Sequence, residues 1–223
     1  SPKDESAMGE DDIVDADIIP VEKQEFTLLK FKFKDKFLVA ATLRPETIFG
    51  QTNLWLAPDI SYEEAEVGNE IWLLSKEAIE KLEYQRKAIK KLGKTKEKLL
   101  GEYAIAPGIN KKIIILPSKF VSSDIGTGIV TSVPSDAPYD YVALKEIQDS
   151  KELEKKYGFR LEKIKEIEEI EIIPIIKTEK YGDKAAVNVV ESSQITLSSD
   201  SRLDALTQEV YKEGYHTGVL LDT

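Results

Sequence analysis

Two apolar runs in this chain each end in a proline-bearing cluster of polar groups, and that pairing constrains the fold more than any other feature. The first, Phe37-Leu38-Val39-Ala40-Ala41, reads as a strand and leads directly into Thr42-Leu43-Arg44-Pro45-Glu46-Thr47. The second, Gly126-Thr127-Gly128-Ile129-Val130-Thr131-Ser132-Val133, is stopped by Pro134 and followed by Ser135-Asp136-Ala137-Pro138-Tyr139-Asp140. Proline fixes φ and biases the residue before it away from the α region, so a turn is expected at each strand end. Hydroxyls, carboxylates and a guanidinium are thereby presented at the ends of rigid elements, a common place for a small-molecule site.

The rest of the chain supplies the elements around these turns. Phe26 to Lys34 alternates apolar and polar after Leu29, and with Asp35-Lys36 as turn and Phe37 to Ala41 as return strand it reads as a β-hairpin. Asn53 to Ala57 and Lys111 to Leu116 read as short strands, and Ile170 to Ile176 as a strand interrupted by Pro174. Ser75 to Arg86 has helical spacing behind a Ser N-cap. Tyr139 to Gln148 reads as a helix with Asp136 or Ala137 near its cap, Asp136 the more expected of the two, and Pro138 in its first turn. Asp149 to Glu169 reads as further helix and loop, and Ala185 to Val190 and Asp200 to Glu213 as helices, the last stopped by Gly214. Many short strands with intervening helices predict a mixed, β-barrel-like domain rather than a doubly wound sheet.

Composition narrows the function classes. Without cysteine there are no disulfides and no thiolate metal sites, which fits an intracellular protein, and the single His216 excludes a His-rich metal site. His216 itself reads as a surface histidine. No apolar run approaches the ~20 residues needed to cross a bilayer, and the acidic start Ser1-Pro2-Lys3-Asp4-Glu5 does not read as a secretory signal. The net charge of −10 argues against a broad nucleic-acid-binding face. Residues 1–17 hold seven acids and one base, so they account for −6 of that charge and read as a disordered acidic segment ahead of a domain over 18–223. A local basic surface remains open, with Arg86 to Lys96 as its candidate; such a run also reads as a solvated helix end and loop.

Residue chemistry alone leaves each site candidate with two readings. Asp140, in the first helical turn, is either a carboxylate free to meet a cation or an acid favoured by the helix dipole. Thr42 is either a site hydroxyl or a strand-end β-former. Thr47 is either a pocket residue or a turn hydroxyl, and Arg44 and Glu46 are either site groups or surface charge. Gly126-Thr127-Gly128 lacks the lysine of a phosphate-binding loop.

Taken together, the two segments resemble the connective-peptide editing domain of the class I aminoacyl-tRNA synthetases for leucine, isoleucine and valine. Thr42 to Gly50 is similar to that group's threonine-rich peptide. Gln51-Thr52-Asn53-Leu54-Trp55 with Gly126 to Pro134 is similar to the leucyl enzymes of archaeal and eukaryotic cytosolic type, and Ser135-Asp136 leans to the eukaryotic branch. Valyl relatives usually carry Asp where Gln51 stands, and isoleucyl relatives Trp where Glu46 stands.

The resemblance implies a small β-barrel with flanking helices. It implies a deacylase that hydrolyses the ester of tRNA(Leu) carrying isoleucine, valine, methionine or norvaline. Asp140 would bind the substrate's α-ammonium and Thr42 would lie near the scissile ester, making these two the catalytic candidates. Arg44 stands beside them, and Thr47 would line the amino-acid pocket and exclude the leucyl group. Ser135 and Asp136 complete the substrate-binding set, with less definite roles. No metal ligand and no cofactor are implied for editing, ATP and Mg belonging only to the full-length synthetase. The implied partners are the 3′ end of mischarged tRNA and the remainder of the synthetase, in the cytoplasm and without a membrane. The alternatives carried beside this are an isoleucyl- or valyl-type editor and a catalytically silent tRNA-binding module.

Overall fold

The computed structural model describes residues 25–85 and 88–222, so the acidic segment 1–17 lies outside the described residues. Its framework is a sheet that begins with the expected hairpin. β1 (Thr27–Phe33) and β2 (Lys36–Thr42) pair antiparallel along their whole length, from Thr27 opposite Thr42 to Phe33 opposite Lys36. The turn is Lys34-Asp35, one residue earlier than expected, and Lys34 takes the left-handed conformation with a φ of 56°. A 3-10 turn over Pro45–Gly50 follows, with proline in its first position. Next come β3 (Asn53–Leu56), β4 (Tyr62–Val67), β5 (Glu70–Ser75), α1 (Lys76–Tyr84) and β6 (Ile89–Lys94). Ser75 caps α1 as its sequence predicts, its Oγ accepting from Ala78 N at 3.1 Å.

β7 (Tyr103–Ile105), β8 (Lys112–Pro117) and β9 (Ile129–Thr131) complete a nine-stranded sheet in the order β6-β4-β5-β2-β1-β7-β8-β3-β9. Period-two alternation then sorts side chains. Leu54, Leu56, Ile113 and Ile115 join Phe31, Phe33 and Leu38 in one buried cluster, while Trp55, Ile114 and Leu116 face another. The second cluster is closed by α2 (Pro138–Gln148), α3 (Leu153–Tyr157) and α4 (Leu161–Glu168), through Ala143, Leu144, Leu153 and Ile167. α5 (Ala185–Ser192) and α6 (Arg202–Thr217) pack on the other side of α2, and β10 (Ile176–Lys177) pairs with β11 (Val219–Leu220).

Four expectations are corrected here. The sheet is not a closed barrel. β9 comes back close to β2, yet among the described residues no ladder joins them, so the sheet curls without closing. The basic run does not form a helix end and loop: Ile89–Lys94 is a strand at the sheet edge, and Lys90 and Lys91 pair with Glu66 at 3.3 Å and Glu83 at 3.1 Å. Of Ile170 to Ile176 only Ile176 enters a ladder, together with the following Lys177, and Pro174 has no N–H to donate to one. Gly214 does not stop α6, which runs on to Thr217. A Cβ there would stand 3.4 Å from Arg44 Nη2, at the edge of an ordinary contact, so no close approach demands glycine at this position.

Candidate functional site

The two proline-bearing segments meet. The end of β2, the first turn of α2 and the last turns of α6 enclose a cavity of about 240 Å³. Thr42, Arg44 and Thr47 line it from the first segment, and Asp136 and Asp140 from the second. Ser135 does not line it. Its hydroxyl is buried and donates to the Asp136 carboxylate, so it orients a wall residue from behind.

Local sequence fixes each position. Pro138 occupies the first position of α2 and holds Ala137 extended, at φ −119° and ψ 108°. The cap position is therefore Ala137, not Asp136, and the Asp136 side chain is left to face the cavity. Asp140 sits in the first turn of α2 with both carboxylate oxygens engaged. Oδ2 accepts from Val133 N at 2.7 Å and Oδ1 from Trp55 Nε1 at 3.1 Å. A carboxylate offers about four lone-pair sites, so accepting capacity remains. At 4% exposure Asp140 is not the solvated first-turn acid of the bland reading.

On the opposite wall, Thr42 Oγ1 accepts from Arg44 N at 3.0 Å, which shapes the turn and leaves its O–H free to donate. Thr47 Oγ1 donates to the Arg44 carbonyl at 2.8 Å. Both readings of Thr47 thus hold together: its hydroxyl ties the turn, and the residue still lines the cavity. Arg44 Nε donates to Glu46 at 3.0 Å, and its guanidinium lies 4.9 Å from the Tyr211 ring centroid. Tyr211, Phe120, Val130, Val133 and Tyr139 give the cavity its apolar lining. Thr131 adds a hydroxyl that has no hydrogen-bond partner among the described residues.

Burial dominates the electrostatics of the two carboxyl groups in the cavity. Burial pushes the Asp140 carboxyl up to about 7, against the lowering effect of the Val133 and Trp55 hydrogen bonds. Burial pushes Asp136 up to about 6, opposed by the Ser135 hydroxyl and the Arg44 guanidinium. Burial, with the charges of Asp140 and Asp136, also drives the Tyr211 phenol upward, so it stays a neutral donor. An entering ammonium would favour the ionised carboxylates and offset their desolvation. Among the described residues no cluster of three His, Cys, Asp or Glu is arranged to hold a metal.

Known proteins are similar to this chain in sequence and in fold. The profile of the leucyl-tRNA synthetase editing domain matches residues 21–210. The chain belongs to the leucyl-tRNA synthetase editing-domain family. It is similar to the leucine–tRNA ligase of Staphylothermus marinus, at 47% identity over 96% of this chain and 22% of that enzyme. The Methanothrix thermoacetophila ligase is 39% identical over 98% of this chain and 22% of its own length. The chain therefore spans about a fifth of these relatives. In structure it is similar to GlLeuRS-CP1, with a TM-score of 0.72 and 32% identity, covering 84% of this chain and 74% of that one. The cytosolic leucyl-tRNA synthetase editing domain of P. falciparum gives a TM-score of 0.71 at 25% identity, covering 84% and 70%.

These matches set aside the isoleucyl and valyl alternatives. No helix among the described residues is long and apolar enough to cross a membrane.

Asp140 ties stability of the editing domain to pH. Its folded-state value, about 7, lies above the ordinary 3.8, so the folded chain holds this proton more tightly than the unfolded one. The associated stability is fully present below 3.8 and is lost as pH rises through about 7. The stability of the wild type relative to Asp140→Asn is therefore expected to fall between pH 5 and pH 8, as read by thermal unfolding of both proteins. Parallel curves would show that Asp140 is not held protonated.

Proposed function

We propose that this chain hydrolyses the ester linking a non-cognate amino acid, isoleucine, valine, methionine or norvaline, to tRNA(Leu). The observation that carries the reading is the buried Asp140 carboxylate, held by Val133 and Trp55 in a cavity walled by Thr42, Arg44 and Thr47. A hydrophobic pocket gains only ~1–3 kcal/mol from a methylene, too little to separate leucine from its near-isosteres in one step. A second, hydrolytic sieve makes up the difference.

Asp140 fixes the α-ammonium and so brings the ester into an attack-ready position. The reading assigns the attacking water to the Thr42 hydroxyl, backbone groups and the terminal ribose hydroxyls, and assigns editing no metal or cofactor. The Arg44 guanidinium and the Thr131 hydroxyl line the same cavity, and the reading assigns them as donors to charge developing on the ester oxygen. Deacylation of isoleucyl-tRNA(Leu) by the purified chain, with leucyl-tRNA(Leu) as the spared control, tests the reading. Binding without turnover would favour the silent module.

The full-length synthetase and the 3′ end of the tRNA are the partners this function requires. The net charge of −10 opposes the tRNA phosphates, and Lys90 and Lys91 of the basic run are already paired with Glu66 and Glu83. The isolated chain is expected to bind tRNA weakly with a shallow salt slope, as one or two phosphate contacts would give. Titration of labelled tRNA at two salt concentrations measures it, and a steep slope would reveal a phosphate-binding face elsewhere.

A further inference from the structure

A second groove lies against the first cavity. It is formed by Leu43 and Arg44 from the strand-end turn and by Tyr211, Lys212, Tyr215 and His216 from α6, and encloses about 680 Å³. Leu43, Arg44 and Tyr211 line both hollows, so the two lie side by side across these residues. Tyr215 is 86% exposed, and its ring meets the His216 ring edge-on at 5.3 Å. A tyrosine so exposed contributes little to a core and offers its π face to whatever enters. Two cations, Arg44 and Lys212, line the groove against one acid, Glu46, which Arg44 already pairs at 3.0 Å. In a chain of net charge −10 this surface has a locally positive lining next to the site.

We propose that this groove takes the nucleotide preceding the esterified terminal adenosine in the single-stranded 3′ end of the tRNA. Its base stacks on Tyr215, and its phosphate is met by Lys212. Aromatic faces with nearby cations are the general means of holding single strands without reading sequence. The inference rests on the deacylase reading, because that reading puts the aminoacyl ester of the terminal adenosine in the adjoining cavity. Ile176 and Leu220 give the groove an apolar flank, and cover by another protein segment is the outcome the experiment must separate.

The test compares two substrates: isoleucyl-tRNA(Leu), and isoleucyl-adenosine, which has no preceding nucleotide. Tyr215→Ala is expected to lower kcat/KM on the tRNA about tenfold through KM, as loss of one stacked base would. The preference for tRNA over isoleucyl-adenosine should shrink by the same factor, and Tyr215→Phe, which keeps the ring, should restore it. Lys212→Gln should reduce the slope of log KM against log salt by about 0.7, the single-strand value for one phosphate. An unchanged KM for tRNA in Tyr215→Ala, or an equal loss on both substrates, overturns the proposal and leaves the groove to a protein partner. Failure of the wild type to hydrolyse either substrate overturns the deacylase reading itself, and this inference with it.

Discussion

Asp140→Asn is expected to lower deacylation of isoleucyl-tRNA(Leu) by about 30-fold to several thousandfold while the chain stays folded. Removing one partner of a desolvated charge pair costs about 2–5 kcal/mol, because the other charge is left buried and unpaired, and each 1.4 kcal/mol is about tenfold. The substitution must be chosen with the geometry in view. Asp140 accepts from Val133 N and Trp55 Nε1, so alanine would strand two buried donors at ~1–3 kcal/mol each and confuse stability with catalysis. Asparagine keeps the shape and one accepting oxygen while abolishing the charge; its Nδ2 then faces one of the two donors, a single loss where alanine makes two, and the unfolding control reads that cost. Single-turnover deacylation, with thermal unfolding as control, reads the effect. A folded Asp140→Asn with near-wild-type rate would remove Asp140 from ammonium binding.

What the sequence disclosed follows physical lines. The β1–β2 hairpin was legible because one face is buried, which writes an alternating pattern over Phe31, Phe33 and Leu38. β4 was not, because Tyr62-Glu63-Glu64-Ala65-Glu66-Val67 carries three acids. Cross-strand and neighbouring lysines answer two of them: Lys36 pairs with Glu64 at 2.7 Å and Lys90 with Glu66 at 3.3 Å. A strand stabilised by tertiary ion pairing has no local apolar signature. Gly214 misled because a glycine ends a helix only where the chain turns out of it, and α6 continues past it to Thr217.

The site divides the same way. Thr42, Arg44, Thr47 and Asp140 were marked by two local clusters of polar residues around prolines, and the fold brings those clusters to one cavity. Tyr211 and Phe120 were not, since nothing in their own neighbourhoods sets them apart from core aromatics. Thr131 lies in a strand whose β-propensity explains a threonine fully, and only the absence of a partner for its buried hydroxyl distinguishes it. Ser135 and Asp136 were grouped by adjacency. Their side chains bond to each other, and only Asp136 reaches the wall.

Thr47→Ser is expected to let the domain hydrolyse correctly charged leucyl-tRNA(Leu), with activity on isoleucyl-tRNA(Leu) retained. Thr47 is 5% exposed, and its hydroxyl is spent on the Arg44 carbonyl at 2.8 Å. That bond holds χ1, so the γ-methyl keeps one position. Leucine, isoleucine and norvaline differ in branching and length, not polarity, so their separation here must be steric. Overpacking a close-fitting site costs about 1–3 kcal/mol, equivalent to about 5- to 150-fold in rate. Serine removes the methyl and keeps the turn-tying hydroxyl, whereas Thr47→Val keeps the bulk and breaks the bond. If Thr47 acts by bulk, serine gains the leucyl substrate and valine does not, although valine loses some stability. If it acts only by tying the turn, valine shows the larger change and serine stays selective. Leucyl-tRNA(Leu) deacylation by the two variants, beside their melting temperatures, decides between a methyl that sieves and a hydroxyl that merely fastens the loop.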